Sequence, residues 1–193
     1  MARGFLITGT GARVGKTTVG CALGFAMRAR GIRVGVMKPV DTAESQDAQA
    51  LALAVGSTMP IELICPYRYP ADSALVDAPD LAHIVQCFDQ IAAQNDVVLV
   101  EAGRILDFAD LAATLDLEVI VVVSNRPGCL DATMLTIQRC GDRGLKIRGY
   151  ILCDCDPTPA VDEVSLRELV GPLYLGRMRH REPLAKVIVE KLI

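Results

Sequence analysis

Residues 7–18 read Ile7-Thr8-Gly9-Thr10-Gly11-Ala12-Arg13-Val14-Gly15-Lys16-Thr17-Thr18, an apolar strand that passes through a glycine-rich turn into an apolar-periodic helix. Such a turn cradles phosphate. Backbone N–H groups must converge on phosphate oxygens, and glycines let the chain approach closely enough for that. In this reading Lys16 places a point charge against the β- and γ-phosphates, Thr17 offers its hydroxyl to Mg²⁺, and Thr18 continues the helix whose positive end faces the anion. Thr10 stands where the common spacing has glycine, and Gly9 is one step early, so the loop is a longer variant.

Outward from the loop, strands and helices alternate. Gly4 to Thr8 reads as a buried strand, 17–30 as a helix stopped by Gly31, and Ile32 to Lys38 as the second strand. The polar stretch Asp41 to Gln46 precedes a helix ending near Val55. A loop with Pro60, Pro66 and Pro70 follows, then a helix over about 80–94. Asp96 to Val100 forms a strand ending at Glu101. Val119 to Ser124 is the plainest strand, and a helix over 129–143 follows it. Ile147 to Leu152 and Leu173 to Gly176 complete the strands, with helices near 160–170 and 182–192. The alternation predicts right-handed βαβ crossovers and an α/β, doubly wound, mostly parallel sheet of the P-loop NTPase kind, with ligands at the carboxyl ends of the strands.

Composition agrees. A chain of 193 residues with 51% hydrophobic but only 4% aromatic residues suits a Val/Ile/Leu sheet wrapped by helices, and the length predicts one nucleotide-binding domain over 1–193. A net charge of −3 speaks against a nucleic-acid role resting on a broad basic surface. No apolar run reaches membrane-spanning length, and Met1-Ala2-Arg3 leads into the first strand without a signal-peptide pattern, so the expected location is cytoplasmic.

The seven cysteines, 21, 65, 87, 129, 140, 153 and 155, are an odd, scattered set that fits a reducing compartment and reads mostly as small core hydrophobes. Cys153-Asp154-Cys155 offers two soft donors, with no second Cys or His pair near it. His83 reads as a helix-surface residue, and His180 with Arg177, Arg179 and Arg181 as a solvated basic face.

Polar groups stand at several strand ends. Lys38 follows the second strand, Glu101 follows Val97-Val98-Leu99-Val100, and Asp47 opens a helix. With Lys16 and Thr17 they have the chemistry to surround a triphosphate and its Mg²⁺, carboxylates holding the metal and lysines neutralising phosphoryl charge. Asp47 also fits plain helix-start decoration, and Lys38 a surface lysine capping a strand. Glu101 would be costly if merely buried, which favours metal or phosphate chemistry.

The chain resembles dethiobiotin synthase and its relatives among the P-loop ATPases. The resemblance runs through Gly9-Thr10 with Val14-Gly15-Lys16-Thr17, Lys38-Pro39-Val40, Asp47-Ala48, Pro66-Tyr67, Glu101, and Gly128-Cys129-Leu130 with Met134-Leu135-Thr136, in the family's order over about residues 4–152. It implies a homodimeric enzyme using ATP and Mg²⁺ to carboxylate a vicinal diamine, diaminopelargonic acid, with CO₂ or bicarbonate and to close the carbamate into a cyclic urea. It assigns Lys16, Lys38 and Thr42 to catalysis, and Thr17, Asp47 and Glu101 to the metal. Gly9 to Thr18 and Cys153 fall to the nucleotide, and Gly128, Cys129 and Leu130 to the substrate carboxylate.

Departures from the family pattern are Gly11-Ala12-Arg13 in place of an Asp-Thr-Glu-like triplet, Ala102-Gly103-Arg104 in place of a glycine-rich run, and Cys153 at the adenine-recognising asparagine. Asp131 stands beside the carboxylate position, where it is expected to cap its own helix. Three other readings stay open. One is a nucleotide-gated, partner-binding ATPase, although the extra lysine of septum-positioning and partitioning ATPases is missing between Gly9 and Gly15. The others are a degenerate nucleotide-binding domain and a cobyrinate amide ligase-like enzyme.

Overall fold

The computed structural model describes residues 2–70, 78–103, 107–155, 163–180, 182, 184 and 186–193. The main sheet has six strands, all parallel: β1 (Arg3–Gly9), β2 (Val34–Met37), β5 (Val97–Glu101), β6 (Glu118–Ser124), β7 (Ile147–Cys153) and β8 (Tyr174–Met178). Their order across the sheet is β2-β5-β1-β6-β7-β8. The chain leaves β1 for one side, returns through β5, and then builds the other side from β6. β1 therefore ends at the switch point, where a doubly wound sheet opens its binding crevice. A small parallel pair, β3 (Val40–Thr42) and β4 (Tyr67–Tyr69), flanks that edge.

Strands buried on both faces need no polar alternation, and β5 (Val-Val-Leu-Val-Glu) is buried at every residue. Two apolar layers cover the sheet. One joins β1 to α1 (Lys16–Arg28) and α2 (Asp47–Val55), with Val19, Leu23 and Met27 inward at helical spacing. The other face carries α4 (Leu81–Ala92), α5 (Phe108–Thr114), α6 (Cys129–Asp142) and α7 (Glu163–Val170). α3 (Ile61–Ile64) is a single turn, and α8 (Lys186–Leu192) returns to the α1 side.

The main strands and helices lie within a few residues of the bounds expected from sequence, with β8 running to Met178 rather than Gly176. The expected helix near 160–170 is described from Glu163 onward. β3, β4, α3 and α5 are additional to the expected elements. Strands of three residues and a helix of one turn are too short for a periodicity to register. α5 announces itself only by its cap, the Asp107 carboxylate accepting from the Ala109 amide at 2.8 Å. α6 corrects one expectation: its N-cap is Gly128 at φ 79°, and Asp131 stands inside the first turn rather than capping.

Candidate active site

The loop between β1 and α1 has the backbone shape of a phosphate cradle. Arg13 sits at φ 55° and Gly15 at φ 93°, so left-handed residues alternate through the turn and swing successive N–H groups toward one side. A Cβ on Gly9 would come within 2.3 Å of Val14 Cγ2, so the loop folds back over its own strand only because that position is bare. Val19 N is the first amide to close a helical turn, onto Gly15 O at 2.9 Å. The amides of Thr17 and Thr18 precede that ladder and lie where a helix start receives anions.

The loop forms one wall of a cavity of about 1090 Å³. Residues 12–18 line it, facing Lys38, Thr42, Asp47, Glu101 and Cys153. Gly9, Thr10 and Gly11 shape the loop from behind rather than line the cavity; Thr10 N is tied to Val122 O at 3.1 Å.

At the cavity floor is a cluster of charged groups from the end of β2, from β3, from α2 and from β5. Lys38, released from β2 at Pro39, is 5% exposed, which rules out a surface lysine. Its Nζ donates to Glu101 Oε1 at 2.7 Å and to Asp47 Oδ2 at 2.6 Å, with Asp41 Oδ1 at 3.9 Å. Thr17 Oγ1 donates to Glu101 Oε1 at 3.0 Å. Burial pulls the Lys38 ammonium toward deprotonation, but Glu101, Asp47 and Asp41 more than offset it, and the net shift is upward. Burial also pushes the Glu101 carboxyl above its usual range, only partly countered by Lys38 and Thr17.

The cluster holds three carboxylates against one ammonium, and Glu101 Oε2 and Asp41 Oδ2 are buried without a hydrogen-bond partner. Unpartnered buried carboxylate oxygens beside a threonine hydroxyl and a lysine are the donor set a hard divalent cation takes, so these residues fit Mg²⁺. Lys16 and Thr17 fit the phosphates that would share it.

The far wall comes from the ends of β7 and β8. Asn125 Nδ2 donates to Asp154 Oδ1 at 2.8 Å, and Arg177 grips Asp154 Oδ2 through Nε at 2.9 Å and Nη2 at 2.8 Å. Arg177 is thus a buried-pair partner and not part of a solvated basic face; Arg181 lies outside the described residues. His180 lines the cavity at its exposed rim. Cys153 lines the cavity too, but its thiol lies against Gly15, where an added Cβ would meet Sγ at 2.7 Å. His83 is exposed on α4, as expected, with its ring edge-on to Tyr67.

Gly128, Cys129 and Leu130 do not join this cavity. They open α6, which packs on the sheet face opposite α1, and Cys129 is buried in that second layer. Arg104 lies outside the described residues. No local sequence pattern marks Asp41, which lies in β3 where it pairs with β4, or the Asp154 and Arg177 pair, which joins adjacent strand ends 23 residues apart.

A left-handed loop at the switch point of a parallel sheet, with a lysine, a threonine and buried carboxylates across from it, defines a phosphate-loop nucleotide-binding protein. Among solved structures, the septum site-determining protein MinD of Pyrococcus horikoshii OT3 complexed with Mg-ADP superposes with a TM-score of 0.61 at 19% identity, over 99% of this chain and 86% of that one. A ParA family ATPase of Chlorobium tepidum TLS gives 0.63 at 14%, over 100% and 99%. At such identities the likeness is one of fold.

Residues 3–187 match the model of a family described as an AAA domain. The ATP-dependent dethiobiotin synthetase BioD of Anaeromyxobacter dehalogenans (strain 2CP-C) is 38% identical over 202 residues, spanning 95% of this chain and 88% of the relative. The protein of the same name from Xylella fastidiosa (strain 9a5c) is 34% identical over 205 residues, spanning 93% and 91%. The chain belongs to the dethiobiotin synthetase family of phosphate-loop proteins.

Proposed function

We propose that this chain is a Mg-ATP-dependent ligase of the dethiobiotin synthetase type, acting on a vicinal diamine such as diaminopelargonic acid together with CO₂ or bicarbonate. The observation that carries this reading is the Lys38, Glu101 and Asp47 cluster set against Thr17 of the phosphate loop, in a chain 38% identical to an enzyme of that name. The same reading takes residues 1–193 as one nucleotide-binding domain in a cytoplasmic homodimer without a nucleic-acid partner. Among the described residues no helix is long and apolar enough to cross a membrane.

Thr17, Glu101 and Asp47 would hold the metal, and the loop amides with Lys16 would hold the polyphosphate. Magnesium-ATP, when bound, supplies a phosphoryl group that turns the carbamate oxygen into a good leaving group. The carboxylates of Glu101, Asp47 and Asp41 outweigh burial and keep Lys38 protonated, so its ammonium can stabilise negative charge that builds on carbamate and phosphate oxygens. Thr42, on the same wall, can hydrogen-bond the acceptor, and the buried floor keeps water from the activated carbonyl. Gly128 to Leu130 keep their assigned substrate role only by family resemblance.

The test is Mg²⁺-dependent ADP release with and without the diamine and bicarbonate. Stimulation by the pair supports the reading. Equal release with and without it removes this substrate.

A further inference from the structure

Cys153 and Cys155 stand two residues apart where β7 runs out, so an extended chain turns both side chains to one side. Their sulfurs are 3.9 Å apart, both cysteines are unbridged, and Ser124 Oγ lies 3.8 Å from Cys155 Sγ. The next strand adds a third sulfur. Met178 is the register partner of Cys153, so its side chain leaves the same face of the sheet, and it lines the same cavity. The other five cysteines are scattered singly through the core and rim of the fold, whereas this pair forms cavity wall.

We propose that Cys153 and Cys155, with Met178 as a weaker third donor, bind a soft monovalent cation of the copper(I) class, and that loading this site opposes nucleotide binding in the adjoining loop. Two thiolates and a thioether are soft donors, the neighbouring Ser124 hydroxyl is neutral, and the Asp154 carboxylate is already held by Asn125 and Arg177. This set favours a soft ion over zinc, which takes four ligands, or magnesium, which takes oxygens. Met178, on the neighbouring strand and lining the same cavity, is the third donor in this proposal.

Metal–sulfur bonds of about 2.2 to 2.3 Å bridge a 3.9 Å gap in a bent arrangement with the backbone where it is, whereas a disulfide would need the sulfurs at about 2.05 Å. The stoichiometry is two thiols plus one M⁺ giving one anionic bis-thiolate complex and two released protons; nothing is oxidised. The complex carries a net negative charge beside Gly15, whose added Cβ would touch Cys153 Sγ at 2.7 Å and Cys155 Sγ at 3.3 Å. A loop that receives polyphosphate would then share its cavity with an anion. This coupling rests on the nucleotide reading of the loop; the metal site does not.

The experiment is an anaerobic titration of the reduced full chain with copper(I), supplied as its acetonitrile complex against bicinchoninate as a coloured competitor. The expected result is one copper retained per chain by the native protein, none by Cys155→Ser, and weaker retention by Met178→Leu. Circular dichroism checks that the variants are folded. Because Cys155 is only partly buried, its variant keeps the test alive if Cys153→Ser fails to fold.

Equal retention by Cys155→Ser overturns the site, as does loss of two hydrogens by mass with no copper retained. Mg-ATP affinity is then measured with and without one equivalent of copper. A weakening of roughly tenfold or more in the native chain and a ratio near one in Cys155→Ser is expected. Equal affinities overturn the coupling. Failure of copper-free protein to bind Mg-ATP sinks the nucleotide reading while leaving the copper stoichiometry to stand or fall by itself.

Discussion

Replacing Lys38 by methionine keeps the apolar stem and removes the charge from the floor of the cavity. Asp47 would suffer little, because 43% of its side chain already meets solvent. Glu101 would suffer most, its side chain being only 2% exposed. A buried carboxylate stripped of its partner costs about 3 to 5 kcal/mol. The group can escape by taking up a proton, which at pH 7 caps the cost near 1.36 × (7 − 4.3), about 3.7 kcal/mol. The expected loss is therefore about 3 to 4 kcal/mol, or roughly 6 to 15 °C in melting temperature for a chain of this size.

The pH dependence has a definite sign. In the variant the folded pKa of Glu101 stands above its unfolded value, so the penalty is full above the folded pKa and vanishes as pH falls below the unfolded one. Melting curves at pH 7.5 and 5 should show the gap to the native protein narrowing at the lower pH. The double variant Lys38→Met, Glu101→Gln should recover most of the loss at pH 7.5. A single variant that melts within 2 °C of the native protein at pH 7.5, or a gap that ignores pH, would refute the buried pair.

Lys16→Ala should weaken Mg-ATP binding by roughly tenfold to more than a hundredfold, the range for losing one charge-assisted contact, in a calorimetric titration; an unchanged Kd would remove Lys16 from the phosphate site. Burial pushes the Cys153 thiol up to about 12 and Cys65 to about 11, so iodoacetamide at pH 8 should label both slowly in the native fold, and early modification on peptide mapping would contradict their burial. The Asp96 carboxyl is held down to about 2 by hydrogen bonds from Arg33. Its contribution to stability is present above the unfolded pKa and is lost as pH falls toward 2, so Asp96→Asn should flatten the slope of stability against pH between about 4 and 2.

Much of the architecture was legible because its signals are local. Val97 to Val100 and Val119 to Val123 are continuous apolar runs of the kind only a doubly covered parallel strand tolerates, and the loop from Gly9 to Lys16 carries its own punctuation. Lys38, Asp47 and Glu101 could be singled out by position at strand and helix ends, and the fold brings them within hydrogen-bonding distance. Other features depend on pairings that no local pattern encodes. Asp41 becomes buried only when β3 pairs with β4, and Arg177 leaves the solvent only because β8 lies beside the strand that presents Asp154. Gly128 to Leu130 fall outside the cavity because α6 crosses to the second face, a choice of side that the residues of its first turn do not announce.

The most direct test is to supply ¹³C-bicarbonate, Mg-ATP and diaminopelargonic acid to the full chain and follow the organic product by mass spectrometry. A cyclic urea carrying one ¹³C, formed in step with ADP and abolished in Lys16→Ala and Lys38→Met, is the result this account predicts. ADP release without label in any product, or labelled urea made equally well by both variants, would contradict it.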